Sequence, residues 1–204
     1  MKYLTLQNLI SMILLESNKP FTLIEPSLTS PPILGFIGSR NFNDFRKNIN
    51  IVPRKWPPND SHGFVHGGFT KKLNLLLKEN KEIEEFLEEN EEIIFTGHSL
   101  GGAIAILLAS MLDEKKVKSV YTFGAPPLCS LDFKKYYTSK RFCSQTFRYV
   151  TPRDPVANLI PFYHHIGNQI LLPYDDKSRL RHHDMGVYKE LIDKMDLGGW
   201  LVFP

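Results

Sequence analysis

Short, largely apolar runs alternate along this chain with longer segments in which apolar residues recur every three or four positions. The runs Ile33 to Ile37, Ile93 to Thr96, Val117 to Phe123 and Thr146 to Val150 have the length and the β-branched and aromatic content of buried strands. Between them, helical periodicity covers about Phe42 to Lys47, Phe69 to Asn90, Leu100 to Leu112 and Leu131 to Thr138, and Asp184 to Met195 reads as a closing helix. In the longest of these, Leu73, Leu76, Leu77, Ile83 and Phe86 supply one apolar side, while Glu84, Glu85, Glu88 and Glu89 face water. That acidic run is a solvated helix face. Strands and helices in alternation predict an α/β fold, a mostly parallel central sheet with helices on both faces.

Composition narrows the picture. At 204 residues and 42% hydrophobic content, the chain is long enough to bury a core without disulfide or metal staples, and no repeat or linker divides it. One domain spanning 1–204 is expected. A net charge of +3 without a basic, aromatic-interleaved stripe gives no support to nucleic-acid binding. Cys129 and Cys143 make no disulfide framework and are expected to be free thiols. At the N-terminus Leu6, Leu9, Ile10, Ile13 and Leu14 recur at helical spacing, interrupted by Gln7, Asn8 and Ser11. This reads as a packed amphipathic helix, not a signal peptide. No apolar run approaches the roughly 20 residues of a membrane span, so the expectation is a cytoplasmic protein or one at an intracellular membrane surface.

The chemistry centres on Gly97-His98-Ser99-Leu100-Gly101. A G-x-S-x-G pentapeptide arises by chance in about one chain in fifteen, so its context must decide. Here a strand pattern, Glu92 to Thr96, precedes it and an apolar helix, Gly102 to Ala109, follows. That is the setting of a nucleophile elbow, where glycines two residues to either side of a strained serine let strand and helix approach closely. A helix N-terminus beside Ser99 also favours developing negative charge.

Serine needs a base, and the base needs an orienting acid. Asp154 is the best acid, because Thr151-Pro152-Arg153-Asp154-Pro155 is the loop leaving the strand Thr146 to Val150, at a carboxyl end where such sheets place their sites. Asp132 reads as part of a helix cap, and Asp175 and Asp176 as turn residues. His164, His165, His182 and His183 follow the acid. Pattern leaves all four open, with a preference for His183 just ahead of the terminal helix. His62 and His66 are four apart, but Gly63 lies between them and no third ligand follows at site spacing, so no metal is expected.

These residues resemble the class 3, fungal-type lipases of the α/β-hydrolase fold, over about Ile33 to Tyr188. Phe36-Ile37-Gly38-Ser39 resembles the family's F-R-G-T oxyanion segment, His66-Gly67-Gly68-Phe69 its H-x-G-F, and Gly97 to Gly102 its G-H-S-L-G-G. Thr122 to Pro126 resembles T-F-G-x-P, Asp154-Pro155-Val156 the D-P-V acid loop, and His165-Ile166-Gly167 the H-x-G. His183 to Tyr188 resembles H-x-x-x-x-Y, which bears the catalytic histidine. The chain departs from the pattern at Ile37, where the family has arginine, at Phe45, where it often has tryptophan, and at Pro127-Leu128-Cys129.

The resemblance implies a triad of Ser99, Asp154 and His183, and an oxyanion hole from the amide of Leu100 with the amide and hydroxyl of Ser39. It implies hydrolysis of a lipid carboxylic ester through an acyl-enzyme, with no metal or organic cofactor, at a membrane or droplet surface. Phe42, Phe45 and Ile49 fall at i, i+3 and i+7, one side of a short helix that periodicity alone reads as a surface helix packed on the core; the resemblance implies instead that this segment is a lid. A phospholipase A1 or another non-triglyceride esterase is the alternative within enzymes. Outside them, the alternative is a non-catalytic lipid-binding module.

Overall fold

The computed structural model describes residues 11, 19–28, 30–38, 52–58, 62–157 and 159–195. Its centre is a six-stranded sheet of β1 (Phe21–Ile24), β2 (Ile33–Phe36), β5 (Ile93–His98), β6 (Val117–Phe123), β7 (Thr146–Val150) and β8 (Asn168–Leu171), hydrogen-bonded in that order. β1 runs antiparallel to β2, and every other pairing is parallel. A separate hairpin joins β3 (Pro53–Lys55) to β4 (Phe64–His66). Among the described residues the longer helices are α1 (Gly67–Glu79), α2 (Lys81–Glu89), α3 (Leu100–Ala109), α4 (Leu131–Thr138) and α5 (Met185–Met195).

Alternation along the strands divides the core in two, because successive side chains leave a sheet on opposite faces. Leu34, Phe36, Ile93, Phe95 and Val120 point to one face, where they meet Ala103 to Ala109 of α3, Phe69, Leu73 and Leu76 of α1 and Phe133 and Tyr137 of α4. Ile33, Ile94, Tyr121, Phe123 and Tyr149 point to the other, which Met185, Tyr188 and Ile192 of α5 cover. The expected parallel sheet with helices on both faces is thus present.

Several boundaries differ from expectation. The single helix predicted from Phe69 to Asn90 is two, broken at Asn80 (φ −133°, ψ 82°). The Asn80 amide still closes the last turn of α1 onto the Leu76 carbonyl, which the Asn80 side chain also meets at 2.8 Å, before the backbone leaves the helical region. α3 stops at Ala109 instead of Leu112, where the Ser110 hydroxyl turns back to the Leu107 carbonyl and accepts from Trp56 Nε1. Asp184, read as the first residue of the closing helix, accepts from the Val187 amide instead, the geometry of an N-terminal cap. β1, β8 and the β3–β4 hairpin were not predicted. β1 and β8 are edge strands; β3 and β8 are largely solvent-exposed and β1 is only part-buried beyond Phe21, so none carries the long apolar run of a central strand. The predicted amphipathic N-terminal helix and the predicted helix Phe42 to Lys47 lie outside the described residues.

Candidate active site

β5 ends on His98 and α3 begins on Leu100, leaving Ser99 alone to reverse the chain. Its backbone sits at φ 57°, ψ −127°, a conformation that costs a residue with a side chain on the order of 1–3 kcal/mol. Close approach explains the flanking glycines. A Cβ on Gly97 would lie 2.3 Å from the Gly101 carbonyl carbon, and one on Gly101 would lie 2.1 Å from the Phe36 carbonyl oxygen. Any side chain at either position would force strand and helix apart. The Ser99 amide is held by the Phe123 carbonyl at 2.9 Å, and its own carbonyl accepts from Gly102.

The serine hydroxyl meets His183 Nε2 at 2.9 Å. On the far side of the same ring, Nδ1 faces Asp154 Oδ2 at 2.9 Å and Oδ1 at 3.0 Å. The Asp154 carboxylate is fully buried and well supplied with donors. Oδ1 accepts from the Val156 amide at 2.7 Å and Oδ2 from the Tyr188 hydroxyl at 2.7 Å. Such a set satisfies a buried carboxylate as an anion, and it pairs Asp154 with His183 and Tyr188 instead of with an arginine. Burial first, and then the Asp154 charge, push the Tyr188 phenol well above its ordinary value, so it remains a donor.

The other three histidines left open in the sequence have different surroundings. His165 donates from Nε2 to the Ala157 carbonyl at 2.7 Å; burial and then the Arg148 charge lower it to about 4. His182 accepts from the Arg153 amide at 3.3 Å and donates to the Asp176 carbonyl at 3.0 Å. His164 is engaged through its main chain, in a bridge to Cys129. His165 and His182 therefore pin the two ends of the acid loop, and His183 is the one that reaches Ser99.

Leu100 opens α3, so its amide is among the first-turn N–H groups that no intrahelical carbonyl can reach. Gly38 packs directly on the serine turn, since a Cβ there would lie 2.9 Å from Ser99 Cβ and 2.7 Å from the His98 carbonyl oxygen. Its neighbour Ser39, and Phe42, Phe45 and Ile49, lie outside the described residues.

Three contributors were not singled out from the sequence. Tyr188 was noted only as part of a motif, and it is the hydroxyl on Asp154. Gly124, at φ 57°, lies so close that a Cβ would come within 2.6 Å of Asp154 Oδ2. His98 donates from Nε2 to the main-chain carbonyl of His183 at 2.9 Å. A glycine at the end of a strand and a histidine inside the serine motif were the available signals.

A strained serine between a parallel strand and a helix, facing a histidine that is itself held by a buried carboxylate, defines an α/β-hydrolase. A family model described as Lipase (class 3) matches residues 33–164, well over half of the chain, and the chain belongs to that family. Ser99 and Asp154 lie inside the match and His183 beyond it. A triacylglycerol lipase of Arabidopsis thaliana is 34% identical over 104 residues, covering 47% of this chain and 18% of its own length. A secreted mono- and diacylglycerol lipase of Penicillium cyclopium is 34% identical over 83 residues, 39% of this chain and 26% of its own. This chain thus spans about a quarter or less of the length of either. The crystal structure of a lipase from Rhizopus microsporus var. chinensis superposes with a TM-score of 0.60 at 25% identity, covering 86% of this chain and 67% of that one.

Proposed function

We propose that this chain is a serine ester hydrolase that cleaves lipid carboxylic esters through an acyl-enzyme on Ser99. The observation that carries the reading is the continuous relay from Ser99 Oγ through the His183 ring to Asp154, each step within 3.0 Å. In the first half-reaction Ser99 Oγ adds to the ester carbonyl while His183 Nε2 takes the hydroxyl proton, and Asp154 stabilises the imidazolium that results. The oxyanion meets the Leu100 amide, a donor of a kind worth about 3–4 kcal/mol in such sites. Collapse breaks the ester C–O bond, and the alcohol leaves with the proton from His183. Water then repeats the sequence on the acyl-enzyme, releasing the carboxylic acid and restoring the serine.

Lipid as the substrate class rests on family membership and on the triacylglycerol and mono- and diacylglycerol lipases it resembles. Among the described residues no helix is long and apolar enough to cross a membrane. A fluorophosphonate probe tests the reading. Rapid labelling of the wild type and none of Ser99→Ala, with Ser99→Ala folded and its turnover reduced by several orders of magnitude, is the expected result. A folded wild type that neither labels nor hydrolyses any of a panel of monoacyl, triacyl and phospholipid esters would leave a lipid-binding module. The same panel separates a triacylglycerol lipase from a phospholipase A1.

A further inference from the structure

The nucleophile and its base come from segments 84 positions apart, and His183 lies on a single short turn, Arg181–His183, not within a long helix or strand. Its side chain is held at both ring nitrogens, but a ring can be held only as well as the main chain that carries it. The main-chain amide of His183 is anchored locally, to the Leu180 carbonyl at 3.1 Å. Its carbonyl is anchored across the site, by His98 Nε2 at 2.9 Å. His98 is the last residue of β5, in register with Phe123 on β6, and it immediately precedes Ser99. One rigid strand end therefore carries both the nucleophile and the donor that grips the backbone of the base. The His98 ring also lies against the His183 ring, with centroids 4.6 Å apart and planes at 30°.

Resting on the ester-hydrolase reading above, we propose that His98 is a positioning residue: its Nε2–H, donated to the His183 carbonyl, fixes the base relative to Ser99. A carbonyl oxygen only accepts, so the proton of neutral His98 is on Nε2. The arrangement requires His98 to stay neutral while His183 gains a proton during turnover, since two stacked imidazolium ions would repel. Burial, reinforced by the charge on His183, lowers His98 to about 3, which meets that requirement at any working pH. An apolar residue would fill the same space and leave the carbonyl without its donor.

Glutamine and methionine separate these roles, because the two side chains are nearly the same size and only glutamine offers an N–H at the distance of Nε2. With a fluorophosphonate probe and a soluble short-chain ester, His98→Met should slow both Ser99 labelling and kcat by about 10- to 100-fold, the scale of a displacement of up to about 1 Å. KM should change by no more than about threefold, and His98→Gln should recover most of the loss at a similar melting temperature. Equal rates for the two variants, whether both fast or both slow, would overturn the proposal. In the unmutated protein, long-range 1H–15N correlation should find His98 as the Nε2–H tautomer from about pH 8 to pH 5. An Nδ1–H tautomer, or titration within that range, overturns it too, even where a variant does not fold. A wild type that fails to label sinks the ester-hydrolase reading instead, and the tautomer measurement still decides whether the hydrogen bond exists.

Discussion

Adding one methyl group at Gly124 should damage this site more than its size suggests. The alanine Cβ would lie 2.6 Å from Asp154 Oδ2, 3.0 Å from His183 Nδ1 and 3.1 Å from the Tyr188 hydroxyl. Ordinary Cβ contacts begin near 3.4 Å, so Oδ2 would have to retreat by 3.4 − 2.6 = 0.8 Å. The carboxylate has little freedom to do so, being tied to the Val156 amide, the Tyr188 hydroxyl and His183 at once. Two costs follow. The positive φ of 57° disfavours alanine by about 1–2 kcal/mol, and at about 2–4 °C per kcal/mol for a chain of this size the melting temperature should fall by roughly 2–8 °C. A shift of nearly 1 Å in the group that orients the base should lower kcat by about 100-fold. Kinetics on a soluble ester together with a thermal melt measure both. Gly35→Ala is the control, because its Cβ would meet nothing closer than Thr96 Cγ2 at 3.4 Å, and its activity should stay within about twofold. If Gly124→Ala also turns over within about twofold of wild type, the packing of Gly124 against Asp154 does not hold the relay in place, and the argument fails.

Two further outcomes can be checked. Tyr188→Phe removes the hydroxyl that donates to Asp154 Oδ2 and accepts from the Thr151 amide; a hydrogen bond to a charged group is worth about 1.5–3 kcal/mol, so a lower melting temperature and about a tenfold loss of kcat are expected, and unchanged kinetics would show that the phenol is dispensable. His66 and His165 are lowered to about 4 and His98 to about 3, each chiefly by burial. Unfolded, each would take up a proton near the ordinary 6.5; folded, each stays neutral until the pH is far lower. The unfolded state therefore binds more protons in that window, and stability should drop as the pH falls from 6.5 toward 4 while depending little on these groups above 6.5. His66 isolates the effect, since it is buried against Phe69 with neither ring nitrogen hydrogen-bonded. His66→Phe should melt higher than wild type at pH 5, by about 2–4 °C, with a smaller gap at pH 8; a gap that does not grow on acidification would refute the assignment.

The central strands and the serine turn were legible in the sequence because their signals are local. β6 and β7 were predicted at their observed limits, Val117–Phe123 and Thr146–Val150, since both are rich in the β-branched and aromatic residues that suit a buried pleated surface. Gly97, Ser99 and Gly101 could be read for a similar reason: the bend that sets the serine between strand and helix is made within five residues, and its steric demands fall on those residues themselves. Edge strands escaped notice because half-solvated positions carry no such constraint. The break at Asn80 escaped because the apolar periodicity continues through it, and the helix is interrupted by the backbone conformation of that one residue.

Residue types and spacing supplied Ser99 and a preferred acid, and left four histidines standing; resemblance pointed to His183. Tertiary structure decided what each of the four does, by bringing one turn over the end of β5 and spending His165 and His182 on the acid loop. The same holds for Gly124, Tyr188 and His98. Each acts on Asp154 or His183 from a distant part of the chain. Short-range sterics and periodicity are written into neighbouring residues, whereas a contact between Gly124 and Asp154, or between His98 and the backbone of His183, exists only once the sheet has set the distance between segments that the sequence keeps far apart.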